Sequence, residues 1–75
     1  MRLDEAEKGK KVKILTVLNQ GGVTKRMAEM GLTRGSIVEI MGVAPFGDPI
    51  DIKIRGYQLS LRKEEASAIE VELIA

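Results

Sequence analysis

The chain has no cysteine, no histidine and no tryptophan, with one phenylalanine and one tyrosine. Each absence removes a class of function. Without cysteine there is no disulfide framework and no sign of an oxidising compartment. Without histidine or cysteine there is no imidazole base, thiolate nucleophile or Cys/His zinc site. A phosphate loop is missing too, since Gly9-Lys10-Lys11 lacks both the glycine-rich turn and the hydroxyl such a loop needs. No stretch approaches the ~20 apolar residues of a membrane span. The opening run MRLDEAEKGKKVK lacks the apolar centre of a signal peptide. Twelve basic and eleven acidic residues leave a net charge of +1, which recommends neither a nucleic acid nor a membrane surface. Asp48 and Asp51 offer oxygens three residues apart, but two carboxylates make a poor cage for Ca²⁺ or Mg²⁺. The expectation is a soluble cytosolic protein that is no enzyme and has no cofactor or metal site.

What is present is aliphatic. Seventy-five residues make one domain, 1–75, which buries only about 60% of the surface its unfolded chain exposes. With aromatics at 3%, the core must be built from Ile, Val, Leu and Met. Lys8, Lys10, Lys11 and Lys13 cluster early and Glu64, Glu65, Glu70 and Glu72 late. The lysines read as the solvated face of an edge strand, where they discourage aggregation, rather than as a phosphate dock.

Periodicity places the elements. Leu3 to Glu7 forms a short helical turn ended by Gly9, and Lys11 to Leu18 a strand. The apolar parity switches from Val12 and Ile14 to Leu15 and Val17, which calls for a bulge near Ile14. Asn19-Gln20-Gly21-Gly22 is a turn, and Thr24 suits the cap of a helix whose Val23, Met27 and Met30 face the core. Gly31 fits a left-handed stop with Leu32 folding back. Ser36–Val43, Ile50–Ile54 and Tyr57–Leu61 are strands, the last two alternating cleanly around the two-residue loop Arg55-Gly56. Lys63 to Ala68 is a helical turn and Ile69–Leu73 the fifth strand. Five short strands with a helical insertion after the first describe a mainly β protein with short helices, a small SH3-like β-barrel, with an open α+β sheet as the fallback and an OB-fold disfavoured because its helix normally falls later in the chain.

Both prolines and the single phenylalanine fall in Ala44-Pro45-Phe46-Gly47-Asp48-Pro49. Pro45 and Pro49 stiffen the loop, Gly47 supplies a positive φ, and Asp48 accepts backbone N–H bonds. Phe46 has two readings: a cap folded onto the barrel end, or an exposed anchor. A small core short of aromatic area favours the cap. Hairpin register adds an expectation. Pairing Ile54 with Tyr57 sets Ile50 against Leu61 and Arg62 against Pro49, so Arg62 should reach the Asp48 carboxylate, or failing that Asp51, and brace the loop.

Four segments together resemble the FeoA family, small cytosolic proteins of bacterial ferrous iron uptake. They are Met30-Gly31-Leu32-Thr33-Arg34-Gly35, the Ala44–Pro49 loop, Leu61-Arg62-Lys63-Glu64-Glu65-Ala66 and Ile69-Glu70-Val71, with Arg26 on the preceding helix. The resemblance implies an accessory protein that binds the cytoplasmic side of FeoB, a membrane Fe²⁺ transporter with a cytoplasmic GTPase domain. It implies localisation in the cytoplasm, with membrane association only through that transporter. It implies no nucleic-acid partner and leaves weak self-association open. The expected contact surface is a groove bordered by Arg26, Met30, Leu32 and Arg34 with Pro45, Phe46, Gly47 and Asp48. Two other functions stay open on the residues alone: a nucleic-acid module using Lys8 to Lys13, and a regulator of some other GTPase.

Overall fold

The computed structural model describes residues 1–18 and 23–75, so the turn expected at 19–22, the Thr24 cap and the side chain of Val23 lie outside the described residues. After a 3-10 turn at Leu3–Glu5 come β1 (Lys11–Val17), α1 (Val23–Glu29), β2 (Ile37–Val43), β3 (Ile50–Ile54), β4 (Tyr57–Leu61), α2 (Lys63–Ala66) and β5 (Ile69–Leu73). The expected element order holds, with the two helical turns shorter than the sequence suggested.

The five strands form one antiparallel sheet in the order β4-β3-β2-β1-β5. Alternation drives it. Every second residue of β3, namely Ile50, Ile52 and Ile54, is buried, while Asp51 and Lys53 face solvent. Val12, Ile14, Val38, Ile40, Leu61, Ile69 and Val71 join them beneath Met27, Leu32 and Leu3 in an all-aliphatic core. Each such side chain contributes roughly 1.5–3 kcal/mol on burial.

β4 and β5 stand at opposite ends of the sheet and do not pair, so this SH3-like sheet curls without closing into a barrel. The outer side of β5 is already taken. Arg2 bridges Glu70, and the Val71 N–H donates to the Met1 carbonyl at 2.7 Å.

Three local features match the sequence reading in detail. Leu15 is the extra residue where β1 slips against β5, between the pairs Ile14–Val71 and Thr16–Glu70. A second bulge, at Met41 between Ile40–Ile52 and Gly42–Asp51, was not foreseen. Arg55 and Gly56 take φ of 50° and 85°, the two left-handed residues of a type I′ turn, and the register is Ile54–Tyr57, Ile52–Leu59, Ile50–Leu61. α1 stops at Gly31, φ 83°. The Gly31 N–H donates to Ala28 at 3.0 Å and the Leu32 N–H to Met27 at 2.9 Å, the paired bonds of a Schellman ending.

Candidate functional site at the 44–49 loop

Register positions the site. Ile50, the first residue of β3, lies opposite Leu61, the last of β4. The loop that enters β3 and the helix that leaves β4 are therefore set side by side.

The loop is a tight turn. The Gly47 N–H donates to the Ala44 carbonyl at 2.7 Å, and the Ala44 N–H to the Pro49 carbonyl at 3.1 Å. Pro45 occupies the position that favours its fixed φ, and Gly47 takes φ 79°. The Asp48–Pro49 bond is cis. This geometry holds Phe46 at the outer corner, and the ring is 93% exposed. The cap reading of Phe46 is thus corrected: aliphatic side chains fill the core, and the turn aims the ring away from it.

Arg62 sits in extended backbone as the N-cap of α2, and its N–H donates to Glu65 Oε1 at 2.9 Å. The Lys63 N–H donates to Asp48 Oδ1 at 3.2 Å. The brace expected between the Arg62 guanidinium and Asp48 is therefore made by a backbone amide instead. The physical reason is that the first turn of a helix has N–H groups without partners and favours negative charge. A fixed amide also binds a carboxylate without immobilising a long side chain. The second choice, Asp51, accepts the Ser60 hydroxyl. Among the described residues the ion pairs are Met1–Glu70, Arg2–Glu70 and Arg26–Glu65, which leaves the Arg62 guanidinium unpaired. It still lines a shallow cleft with Asp48, Lys63, Glu64 and Ser67.

Glu65 is the residue that sequence reasoning missed. Its side chain is 6% exposed, and Oε2 pairs with Arg26 of α1, whose side chain is 61% exposed. One carboxylate thus caps α2 through Oε1 and ties it to α1 through Oε2. The signal lay in the spacing: a glutamate three residues after an N-cap reaches back to the cap's own N–H. Around this pair a second cleft is lined by Arg26, Pro49, Ser60, Leu61, Arg62 and Glu65.

The expected groove is only partly assembled. Arg26 and the Pro49 end of the loop border one cleft, and Asp48 lies in the adjoining one. Leu32 is 1% exposed and belongs to the core, which follows from its place behind the helix stop. Met30 is half-buried and accepts the Tyr57 hydroxyl through its carbonyl. Arg34 is exposed in the Thr33–Ser36 turn and lines neither cleft. No group of three or more acidic side chains able to hold a metal ion occurs among the described residues. None of the described helices is long and apolar enough to cross a membrane.

An open, curled five-stranded sheet with a helical insertion after its first strand, and an exposed aromatic on the loop whose Asp48 and Pro49 enter two arginine-lined clefts, defines a small SH3-like domain. The chain belongs to the FeoA domain family, whose model matches residues 1–73. It is 41% identical over its whole length to part of the Fe(2+) transport protein A/Fe(2+) transporter FeoB fusion protein of Porphyromonas gingivalis, and spans 9% of that protein. Its fold is similar to that of a FeoA-like protein from Clostridium acetobutylicum, at TM-score 0.93 and 43% identity, covering all of this chain and 87% of that one. It also matches the zinc-complexed FeoA of Stenotrophomonas maltophilia, described as a prokaryotic SH3 domain protein, at TM-score 0.85 and 22% identity, covering 96% and 89%.

Proposed function

We propose that this chain serves ferrous iron transport as an accessory protein, acting by binding rather than catalysis. Its partner is the cytoplasmic part of a FeoB-type transporter, which draws the chain to the cytoplasmic face of the membrane. The observation that carries the reading is the fusion relative, where a segment 41% identical to this chain shares one polypeptide with a FeoB transporter. Two domains joined in one chain meet at high effective concentration, the setting in which a modest interface suffices. The geometry supports a place for contact. Phe46 is a rigid, almost fully exposed aromatic, and Arg26 and Arg62 stand in the neighbouring clefts. Aromatic and arginine side chains dominate binding hot spots, while Met30, Leu32 and Arg34 support the scaffold or stand apart.

The test is titration of the isotopically labelled chain with the cytoplasmic domain of a FeoB-type transporter, followed by amide chemical shifts. The expected result is a set of shifts centred on residues 44–49 and Arg26, with affinity at least tenfold lower for Phe46→Ala, as loss of an aromatic anchor gives. Binding with both segments unperturbed would remove the proposed surface, and no binding would remove the partner.

A further inference from the structure

The two edges of the sheet are treated differently. β5 is screened by Met1 and Arg2, which take up hydrogen bonds along its outer side. Among the described residues no backbone group bonds to the outer side of β4, where Arg26 of α1 shares an open cleft with Ser60 and Leu61. Sheet edges are normally blunted by a charge, a proline, a bulge or an overlying segment. Tyr57-Gln58-Leu59-Ser60-Leu61 has no charge and no proline, and its register against β3 is unbroken. The hydrogen bonds of this edge can be assigned. In a two-residue hairpin the pair beside the loop, Ile54–Tyr57, exchanges both its bonds, and bonded pairs then alternate. Tyr57, Leu59 and Leu61 therefore bond inward to β3. The N–H and C=O groups of Gln58 and Ser60 point outward.

We propose that β4 is a strand-addition site: an extended segment of the partner, neutral in its middle and acidic at its ends, pairs with Gln58 and Ser60. This rests on the transporter-binding reading above and states how the contact is made. Main-chain pairing would supply affinity, and the half-exposed Tyr57 and Leu59 offer an apolar shelf beside it. Charge selects the occupant. Arg55 stands at one end of β4, and Arg62 and Lys63 at the other. None of the three belongs to an ion pair among the described residues. Asp48 and Glu64 share the cleft with Arg62, so its surroundings are mixed, yet the strand itself carries no acid. A second copy fits poorly. Two-fold pairing centred on Leu59 would set Arg55 of one copy against Lys63 of the other at both ends, and like charges directly opposite destabilise a strand pair. An acidic segment turns the same ends into attractions.

The probe is the cytoplasmic domain of a FeoB-type transporter, added to the full chain while amide hydrogen exchange is followed. Gln58 and Ser60 should exchange about tenfold more slowly in the complex, as newly bonded edge amides do. Ser60→Pro removes an outward N–H that the fold does not use; because it also loses the exposed Ser60–Asp51 hydrogen bond, its reference is Ser60→Ala, relative to which affinity should fall about tenfold. Gln58→Pro, which removes the other outward N–H, serves should Ser60→Pro disturb the hairpin. Arg62→Glu should weaken binding further. If the domain binds but neither amide is protected and the proline variants bind normally, strand addition is wrong and the transporter reading survives. Absence of binding overturns both. Protection that grows with the concentration of this chain alone would make the occupant a second copy and overturn the proposal.

Discussion

Two turns in this molecule share one local plan and meet different fates. Arg2-Leu3-Asp4-Glu5 and Arg62-Lys63-Glu64-Glu65 both begin in extended backbone, at φ −89° and −68°, and both open a helical turn. In each, the glutamate accepts the N–H of the arginine three residues before it, at 2.6 and 2.9 Å. Beyond the backbone they part. Arg2 reaches Glu70 Oε2 at 2.8 Å through Nε and donates from Nη1 to the Ser67 carbonyl at 2.6 Å, sewing the N-terminal turn to β5 and the end of α2. The Arg62 guanidinium forms no ion pair among the described residues, and it is Glu65 that turns inward to Arg26. Sequence spacing sets the backbone of such a turn; the neighbours brought by the sheet decide which charged group is committed to the fold and which is left for a partner.

Glu65→Ala should separate the two turns most clearly. It removes the α2 cap acceptor and leaves Arg26 without its carboxylate, so a loss of about 2–4 kcal/mol is expected. For a domain of this size that lowers the melting temperature by about 10–20 °C. Glu65→Gln keeps an acceptor for the Arg62 N–H and should lose roughly half as much. Arg2→Ala comes next, at about 1 kcal/mol, because it breaks one partly exposed ion pair and one bond to a carbonyl. The urea midpoint reads this directly, and added salt should shrink the difference from the parent chain. Glu5→Ala removes an exposed cap acceptor only, and should cost about 0.5–1 kcal/mol by the same measurement. Arg62→Ala should change stability by less than about 0.5 kcal/mol while weakening transporter-domain binding. An Arg62→Ala protein less stable than the Arg2→Ala one would break the distinction drawn here.

The sheet was legible because its rules are local. Strict alternation in β3, a two-residue loop with glycine, and a glycine after the α1 methionines each have one satisfactory backbone solution. The Met41 bulge was not legible, since the isoleucines and valines on either side allow more than one register until β3 is in place. Barrel closure was over-read: the competitor for the outer edge of β5 is the N-terminal Met1-Arg2 segment, far away in sequence. At the site, the loop and Arg26 were found, but two roles were exchanged. Asp48 takes a helix-end amide rather than a guanidinium, and Glu65, in sequence one of a late cluster of acids, is the buried link between α1 and α2. Both outcomes depend on which N–H groups a helix leaves free in three dimensions, something no one-dimensional pattern of charge records.

The Tyr57 hydroxyl donates to the carbonyl of Met30, the residue just before the Gly31 stop, and a Cβ at Gly31 would lie 3.3 Å from the Tyr57 phenol oxygen. Tyr57 is the single tyrosine in a chain without tryptophan. The near-ultraviolet emission of the molecule is therefore, to a good approximation, the emission of one side chain at the junction of α1 and the free edge of the sheet. Its intensity and lifetime depend on whether the phenol is tied to that carbonyl. The protein thus carries a built-in optical gauge, through which movement of α1 or occupation of β4 can be followed without any label.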